Sequence, residues 1–338
     1  MTPEEKTNWT EREGRLERFP IGRATRDAYG EVLAALGADH PEIVVLDGDL
    51  AKSTKSAVFA ERFPDRFFNA GIAEANMAGI ASGLAACGKI PFISSFASFL
   101  ICKTFDQLRL GVSYSKLPVK LVGSHGGITL GPDGVSQMSI EDIALAASLP
   151  GMTVVVPADE VSTGALVPQV YAHPGAVFLR TGRNKVPRIY DPGDTDFQLG
   201  KGRVLRKGGD VALVACGIMV AEAIYAAQVL EAEGVSCTVV DMHTVKPIDE
   251  ELLVLVAREC GAVVTAEEHQ IYGGLGAIVS SVLGRNHPVP LEHVALRDTF
   301  AKSGEPEELK KLYGLTWREI VIAVERVLGR KRRELSEE

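Results

Sequence analysis

Short apolar runs alternate with helical segments along most of this chain, and this alternation constrains the fold more than any other feature. In the first half, the apolar runs predict strands at residues 42–47, 66–69, 90–94, 119–123, 153–156 and 176–179. Helical patterns predict helices at residues 25–36, 54–63, 74–84, 101–113, 140–147 and 160–171. Strands that alternate with helices at this spacing indicate a parallel sheet with helices on both faces. The fold class is therefore α/β.

A second alternating series follows a segment rich in proline, glycine and aspartate. Residues 184–200 have the composition of a linker. Beyond it, strands are predicted at residues 211–215, 236–240, 262–266 and 288–296, and helices at residues 220–233, 249–260, 275–283 and 317–327. We therefore expect two consecutive α/β domains with mainly parallel sheets, at residues 21–190 and 201–330.

The two ends of the chain are rich in charged residues. Residues 1–20 show little periodicity, which predicts a loosely held N-terminal arm with Trp9 and Phe19 as candidates to dock it. Residues 330–338 are a charge run, which indicates a solvated end rather than a binding arm.

The composition argues against several classes of partner. The 338 residues carry a formal net charge of −8, which disfavours nucleic acid as a principal partner. No apolar run is close to the length of about 18 residues that a membrane-spanning helix needs. The five cysteines include no Cys-x-x-Cys pair, so neither a zinc site nor a disulfide framework is indicated. We expect a cytoplasmic protein with buried thiols.

We expect the functional site to include the segment at residues 74–84. They are small and apolar, with Gly79 and Gly83 four positions apart, which predicts a helix that admits another backbone close to it. Glu74 lies in the first turn of this helix. Its carboxylate is either an ordinary acid that the helix dipole stabilises or a functional group.

The apolar neighbours of Glu74 favour a functional interpretation. Ile72, Met77 and Ile80 surround it in sequence, and desolvation favours the protonated form of a carboxyl group. A neutral buried acid can donate a hydrogen bond to a ring nitrogen. Glu74 is therefore a candidate for a proton relay.

Three phenylalanines lie within ten residues of one another, downstream of Glu74. Phe96, Phe99 and Phe105 form either an ordinary core cluster or an aromatic wall for a flat ligand. Stacking of an aromatic ligand on phenylalanine adds roughly 0.5–1.5 kcal/mol per pair beyond area burial.

Four motifs, in this order and spacing, resemble the pyrimidine-binding domain of transketolase. They are Gly-Ile-Ala-Glu-Ala-Asn-Met at 71–77, Phe-Ala-Ser-Phe at 96–99, Phe-Asp-Gln at 105–107, and the loop from Gly-Ser-His-Gly-Gly at 123–127 to Gly-Pro-Asp-Gly-Val-Ser-Gln at 131–137. The resemblance extends from about residue 26 to about residue 315. It implies that residues 21–190 are a pyrimidine-binding domain and residues 201–330 a transketolase C-terminal domain.

The resemblance implies a thiamine diphosphate enzyme that transfers a two-carbon ketol unit between sugar phosphates. In that family, the glutamate that matches Glu74 holds N1′ of the aminopyrimidine ring and promotes loss of the thiazolium C2 proton. Phe96, Phe99 and Phe105 would then seat the ring. Glu74 and His125 are the candidate catalytic residues.

The resemblance also places substrate-binding residues on this chain. Arg26, Ser53 and Arg183 match phosphate-side positions, and arginine suits phosphate because its planar fork matches the phosphate oxygens. Without the family, each is simply a surface polar residue.

The glycine-rich loop from residue 125 to residue 137 is too irregular for a helix or a strand, and such loops are usually functional. By resemblance, His125 and Asp133 line a sugar channel, and Asp133 recognises a hydroxyl near the cleaved bond. Gln137 occupies a position that is histidine in many transketolases. The glutamine retains hydrogen bonding and removes a titrating group.

One part of the family pattern is missing. Complete transketolases carry a Gly-Asp-Gly motif followed by an asparagine, which together bind Mg²⁺ and the diphosphate. The nearest match here, residues 47–49, lacks the partner asparagine. We therefore expect the C-terminal subunit of a split transketolase. A separately encoded N-terminal subunit would bind most of the Mg²⁺ and diphosphate, in an α2β2 heterotetramer.

Other interpretations remain open from the sequence. A deoxyxylulose-phosphate synthase-like enzyme or the β subunit of a 2-oxoacid dehydrogenase shares the glutamate and the two-domain plan. A transketolase for a modified sugar, such as a sulfonated one, would need similar arginines, and a non-catalytic binding module is a fourth possibility. The Glu-Glu-His run at residues 267–269 resembles a metal site, but its other candidate ligands lie far away in sequence.

Overall fold

The strands follow from the buried apolar runs of the sequence, with several short additions. A computed structural model describes the backbone of residues 3–337 and the side chains of residues 9–333. Its strands are β1 (Ile21–Ala24), β2 (Ile43–Asp47), β3 (Phe67–Asn69), β4 (Ile90–Phe96), β5 (Lys120–Ser124), β6 (Thr153–Val155), β7 (Val177–Arg180), β8 (Lys185–Pro187), β9 (Arg203–Arg206), β10 (Val211–Ala215), β11 (Cys237–Asp241), β12 (Thr244–Lys246), β13 (Val263–Gln270) and β14 (Leu291–Leu296).

Helices connect most of these strands and cover the sheets. They are α1 (Pro3–Gly14), α2 (Thr25–Asp39), α3 (Ala51–Thr54), α4 (Ala57–Arg62), α5 (Glu74–Ala86), α6 (Ala97–Cys102), α7 (Phe105–Gln107), α8 (Asp142–Ser148), α9 (Glu160–Ala172), α10 (Met219–Glu231), α11 (Glu250–Cys260), α12 (Leu275–Asn286), α13 (Pro306–Tyr313) and α14 (Trp317–Glu337). Among the helices of residues 3–337, none is both long and apolar enough to cross a membrane.

Two sheets organise the chain. The first has seven strands in the order β12-β6-β7-β5-β4-β2-β3, all parallel except for β12. The second has five strands in the order β14-β13-β10-β11-β9, all parallel except for β9. Strands β2, β5, β10 and β11 are buried along their whole length, as expected for parallel strands covered on both faces. The predicted fold class is therefore confirmed.

Short strands connect the two halves of the chain. Strand β12 follows the second sheet's β11 in sequence but pairs with β6 of the first sheet. Strand β8 lies inside the expected linker and pairs with β1 in a separate two-stranded sheet. The segment at residues 184–200 is therefore partly ordered by strand pairing.

The structure differs from the expectation of a loosely held arm. Residues 3–14 form α1, and Trp9 packs against Trp317 of α14 with ring centroids 5.5 Å apart. Phe19 contacts Tyr225 of α10 at 5.8 Å. The two aromatic residues do dock the arm, and they dock it on the second half of the chain. At the other end, α14 continues to residue 337, and the side chains of residues 334–338 lie outside the described part.

The prediction of a single helix at residues 101–113 is wrong. The chain forms α6, the very short α7 and a π-helix at Leu108–Tyr114. Thr104 separates α6 from α7 with φ −117° and ψ 5°, and its hydroxyl donates to the Leu100 carbonyl. Such side-chain bonds compete with regular helix geometry. The break lies next to the aromatic residues of the candidate site, where π-helical turns are often found.

Candidate active site

The predicted site residues gather at the carboxyl ends of the central strands of the first sheet. Phe96 ends β4, His125 follows β5 directly, and Arg183 follows β7. Glu74 begins α5, which follows β3. Ligands of open α/β sheets bind at this edge. The topology thus brings together residues that are up to 157 positions apart, from Arg26 to Arg183.

Glu74 is buried, with 3% of its surface exposed, and it begins α5 without a side-chain cap from the preceding residue. Its two carboxylate oxygens lie 3.1 and 3.2 Å from Nζ of Lys103. Met77 is buried as expected, but Ile72 and Ile80 are 78% and 41% exposed. The expected apolar surroundings are therefore wrong in part: the carboxylate has a cation partner within the chain.

The glycines of α5 are not closely packed within this chain. A Cβ atom added at Gly79 or Gly83 would meet no described atom within 4 Å. With Ile72 and Ile80, these glycines form an uncovered face of α5. We call this surface the α5 face.

Two of the three phenylalanines form a stack. The rings of Phe96 and Phe99 are 5.6 Å apart at an interplanar angle of 21°, and Phe96 also stacks on the His125 ring at 3.9 Å. The ammonium of Lys103 lies 4.3 Å above the Phe99 ring. Phe105 is partly buried against an apolar core cluster and, among the described residues, belongs to neither of these ring pairs.

Arg26 connects the phosphate-side residues to His125. Its Nη1 donates to the Ser53 carbonyl at 2.8 Å and lies 3.1 Å from Nε2 of His125. Burial, reinforced by Arg26 and Arg183, lowers the pKa of His125 to about 3. The neutral ring therefore accepts at Nε2, and its Nδ1–H donates to Oγ of Ser124 at 2.7 Å. Nε of Arg26 is buried and has no partner among the described residues.

The glycine-rich loop carries the remaining predicted residues. Arg183 lies 3.4 Å from Oδ1 of Asp133 and donates to the Leu130 carbonyl at 3.1 Å. The side chain of Gln137 accepts from Ser136 at 2.6 Å and makes no hydrogen bond to the other predicted site residues in the described part. The side chains of Asp133 and Arg183 are 38% and 35% exposed, so both can reach a ligand.

Sequence reasoning missed two features of the site. One is Lys103 as the partner of Glu74, and the other is the pair Arg180 and Glu268, which hydrogen-bond to the glycine-rich loop and its end. Lys103 lies four positions after Phe99, a spacing that places two side chains on one helix face, and this signal was available. Glu268 was considered only as a metal ligand. Among the described residues no group of three potential ligands could hold a metal ion.

The end of β13 instead makes three separate contacts. The Glu267 carboxylate accepts the backbone N–H groups of Leu275 and Gly276 at 2.8 Å, and so caps α12. The Glu268 carboxylate accepts the Thr129 N–H of the glycine-rich loop at 2.7 Å, and His269 accepts from the Ala144 N–H at 3.2 Å.

The comparisons with known proteins agree with this architecture. Residues 22–188 match the family described as transketolase, pyrimidine binding domain, and residues 200–320 match transketolase, C-terminal domain. The chain therefore belongs to the transketolase family. The resemblance inferred from the four motifs is confirmed.

Relatives of two lengths match the chain. The 6-deoxy-6-sulfo-D-fructose transketolase subunit SqwH of Clostridium sp. is 45% identical over 306 residues, which cover 90% of this chain and 95% of that protein. The putative transketolase C-terminal section of Methanocaldococcus jannaschii is 42% identical, covering 87% and 93%. Human transketolase is 39% identical, covering 89% of this chain and 48% of its own length.

Solved structures have the same fold. A structure titled split gene transketolase, inactive beta4 tetramer has a TM-score of 0.85 at 49% identity, covering 91% of this chain and 99% of that chain. Transketolase from Leishmania mexicana has a TM-score of 0.77 at 23% identity, covering 94% and 47%. The second likeness concerns the fold alone.

Proposed function

We propose that this chain is the C-terminal subunit of a split, thiamine diphosphate-dependent transketolase. Together with a separately encoded N-terminal subunit, it transfers a two-carbon ketol unit between sugar phosphates. The observation that carries the proposal is the buried carboxylate of Glu74 beside the stacked rings of Phe96 and Phe99. Relatives named as a transketolase subunit and a C-terminal section, matched over 95% and 93% of their lengths, support the split arrangement.

The residues fit an aromatic ring that carries hydrogen-bond donors. The Lys103 ammonium already lies over Phe99 while it donates to Glu74, so a donor stacked on this phenylalanine can reach the carboxylate. Oγ of Ser95 is buried nearby and has no partner among the described residues. When bound, thiamine diphosphate supplies the nucleophilic carbon for cleavage of the ketose. Glu74 holds the ring through a hydrogen bond, and Phe96 and Phe99 orient it.

The proposal places Mg²⁺ and the diphosphate mainly on the partner subunit. The nearest acidic pair on this chain already has protein partners. Asp47 accepts from the hydroxyls of Thr54 and Ser56 at 2.7 and 2.8 Å, and Oδ1 of Asp49 accepts from Asn69 at 2.8 Å. Mg²⁺ prefers free carboxylate oxygens and phosphate oxygens in octahedral geometry.

The substrate's anionic group would bind between Arg26 and Arg183. Both guanidinium groups lie close enough to His125 to lower its pKa. Nε of Arg26 is buried and has no hydrogen-bond partner among the described residues. His125 and Asp133 would contact sugar hydroxyls, with His125 neutral and Asp133 an acceptor. Guanidinium groups bind phosphate and sulfonate alike, and a relative at 45% identity is named for a sulfo sugar. A sulfonated substrate is therefore the second candidate.

The α5 face is the surface that the N-terminal subunit would cover in this proposal. Ile72 and Ile80 flank two glycines there, which permits a close helix approach, and Leu110 and Tyr114 extend the apolar surface with 49% and 82% exposure. Contiguous exposed apolar surface of this kind is typical of interaction sites. Glu74 begins the same helix, so the partner would close over the active site. The proposed assembly is an α2β2 heterotetramer.

Ketol transfer by the reconstituted complex tests the proposal. The purified chain is mixed with the product of the adjacent open reading frame, thiamine diphosphate and Mg²⁺. Transfer to ribose 5-phosphate is measured from xylulose 5-phosphate and, separately, from 6-deoxy-6-sulfo-D-fructose. Activity that requires both chains supports the proposal, and the better donor identifies the substrate class. A complex that binds cofactor but transfers nothing from either donor favours a 2-oxoacid dehydrogenase or synthase-like role. No complex favours a binding module.

Glu74→Gln provides the matched variant. Glutamine retains the shape and can accept a hydrogen bond but cannot exchange a proton, so kcat should fall by about 10²–10⁴-fold. Glu250→Gln, an exposed change on α11, should leave kcat unchanged. Full activity of Glu74→Gln would overturn the assignment of Glu74.

A further inference from the structure

We propose that Glu268, in the second half of the chain, is a positioning residue that fixes the glycine-rich loop at residues 125–137 together with the two residues that follow it. This inference rests on the proposed function, because the loop carries His125 and Asp133. It gives the C-terminal domain a part in substrate recognition, in addition to its architectural role.

The carboxylate of Glu268 supports the loop directly. Glu268 lies near the end of β13 and is 4% exposed, and its Oε1 accepts the Thr129 N–H at 2.7 Å. A Cβ atom added at Gly127 would lie 2.0 Å from the Glu268 carboxyl carbon. Gly127 has a φ of +82°, which also favours glycine. The loop therefore approaches this carboxylate as closely as a glycine backbone allows.

Arg180 fixes the far end of the loop to the same strand. Its Nη2 donates to the carbonyls of Ser139 and Glu268 at 3.0 and 2.9 Å, and its Nε donates to Asp142 at 2.7 Å. Arg180 is 6% exposed, so these bonds are shielded from water. The loop is thus connected to Glu268 at two points. Thr129 donates to its side chain, and Arg180 links Ser139 to its backbone carbonyl.

The anchors determine where the substrate-facing side chains lie. Thr129 is four residues after His125 and four before Asp133, so it is the midpoint of the segment between them. Its carbonyl accepts from Asn184, and the next carbonyl, of Leu130, accepts from Arg183. A shift at Thr129 would therefore move Asp133 and Arg183 together.

A buried carboxylate on another element provides the control. Asp249, which precedes α11, is 7% exposed and accepts the backbone N–H groups of Gly202 and Leu252 at 3.2 Å. It pairs with Lys201, and none of its hydrogen bonds in the described part of the chain reaches residues 125–139. Asp249→Ala should therefore reproduce the general loss of stability without the loop effect.

Two measurements test the proposal on Glu268→Ala, Glu268→Gln and Asp249→Ala. Hydrogen exchange of residues 126–131 is followed by mass spectrometry in the full chain. For Glu268→Ala, exchange should be about tenfold faster, because an anchoring hydrogen bond of a buried amide is lost. Glu268→Gln should restore slow exchange because its amide oxygen still accepts from Thr129.

The second measurement is ketol transfer by the complex with the N-terminal subunit. Glu268→Ala should raise KM for the sugar substrate about tenfold with a smaller change in kcat, since binding geometry rather than chemistry is altered. Unchanged exchange in Glu268→Ala, faster exchange with an unchanged KM, or an equal rise of KM in Asp249→Ala would each overturn the proposal. If the unmodified complex transfers nothing, the proposed function fails, and exchange alone then decides whether Glu268 holds the loop.

Discussion

Nζ of Lys103 lies within 3.2 Å of both carboxylate oxygens of Glu74 and 4.3 Å above the Phe99 ring. Glu74 is buried, whereas 47% of the Lys103 side chain is exposed. The lysine can therefore leave the pair by rotating into solvent, while the carboxylate cannot. In the proposed function, the ammonium occupies the position that the cofactor ring would take.

Lys103→Met should destabilise the isolated chain. The variant leaves a buried carboxylate without its cation, and an unpartnered buried acceptor costs about 1–3 kcal/mol. Urea unfolding at neutral pH measures the loss. Lys311→Met, at an exposed position of α13, is the control and should be neutral within error. Equal stability of Lys103→Met and the unmodified chain would mean that the ion pair does not persist in solution.

His125 should remain neutral throughout the physiological range. Its folded pKa is about 3 because of burial and two nearby arginines, whereas the unfolded value is about 6.5. NMR titration of the imidazole should therefore show no midpoint between pH 4 and pH 8. A midpoint near 6.5 would show that the Arg26–His125 contact is absent in solution.

The same pKa shift of His125 predicts a stability effect. Below pH 6.5 the unfolded state binds a proton that the native state refuses, so His125 lowers stability as the pH falls from 6.5 toward 3. His125→Asn removes this titration, and asparagine tolerates the φ of +62° at this position. Relative to the unmodified chain, the variant should gain about 1–2 kcal/mol between pH 7 and pH 5. Urea unfolding at both pH values measures this difference.

Asp241 should affect the free energy of unfolding with a pH dependence opposite to that of His125. It is fully buried, accepts from the Tyr190 hydroxyl at 2.6 Å, and its second oxygen has no partner in the described part of the chain. Burial, and to a lesser degree Asp159, raises the pKa of Asp241 to about 7. Between pH 4 and 7 the native state holds a proton that the unfolded state releases, so this stabilisation is lost as the pH rises.

Asp241→Asn should therefore become more stable relative to the unmodified chain as the pH rises. We expect a relative gain of about 1–3 kcal/mol from pH 5 to pH 7, and a smaller further gain of about 0.4 kcal/mol from pH 7 to pH 8 as the titration of Asp241 is completed. Paired urea titrations at pH 5, 7 and 8 measure it. Asp194→Asn, whose hydrogen bond with Arg203 lowers the pKa of the carboxyl, should show no such gain. Parallel curves for Asp241→Asn and the unmodified chain would contradict the prediction.

Local patterns predicted most of the elements, because buried strands are encoded by contiguous apolar residues. Strand β2 and helix α5 lie within two residues of their expected bounds. Strand β12 was missed because three residues give no local signal and its partner β6 lies about 90 positions earlier in the chain. The Glu74–Lys103 pair was missed for a related reason: its members are 29 positions apart, and the predicted helix began at residue 101 instead of 97, which left Phe99 outside it.

The roles of Glu267 and Glu268 were hidden for a different reason. Adjacent residues of a strand point to opposite faces, so two neighbouring glutamates serve different elements. One accepts from the start of α12 and the other accepts from Thr129. The alternation was visible in the sequence, but the elements on either face were set by long-range topology. The C-terminal half thus contributes to the loop through a strand that carries no recognisable binding motif.

The N-terminal helix offers a test of how the two ends of the chain hold together. Helix α1 has 12 residues, and isolated helices of about 12–15 residues or fewer are marginal in water. Its order must therefore come from contacts with the second half. Trp9 packs on Trp317 at 5.5 Å, the Arg12 guanidinium lies 4.7 Å from the Trp9 ring, and Arg12 pairs with Glu233 at 2.8 Å.

Trp9→Ala should release α1 without unfolding either sheet. The change removes an edge-to-face aromatic pair and a cation–π contact, and should cost about 1–3 kcal/mol. Hydrogen exchange of residues 3–14 should accelerate strongly, while residues 43–47 of β2 remain protected. Trp9→Phe keeps an aromatic contact with Trp317 and should lose less. If Trp9→Ala leaves exchange of the helix unchanged, the charged contacts of Arg12 are sufficient to hold it, and the aromatic pair is incidental.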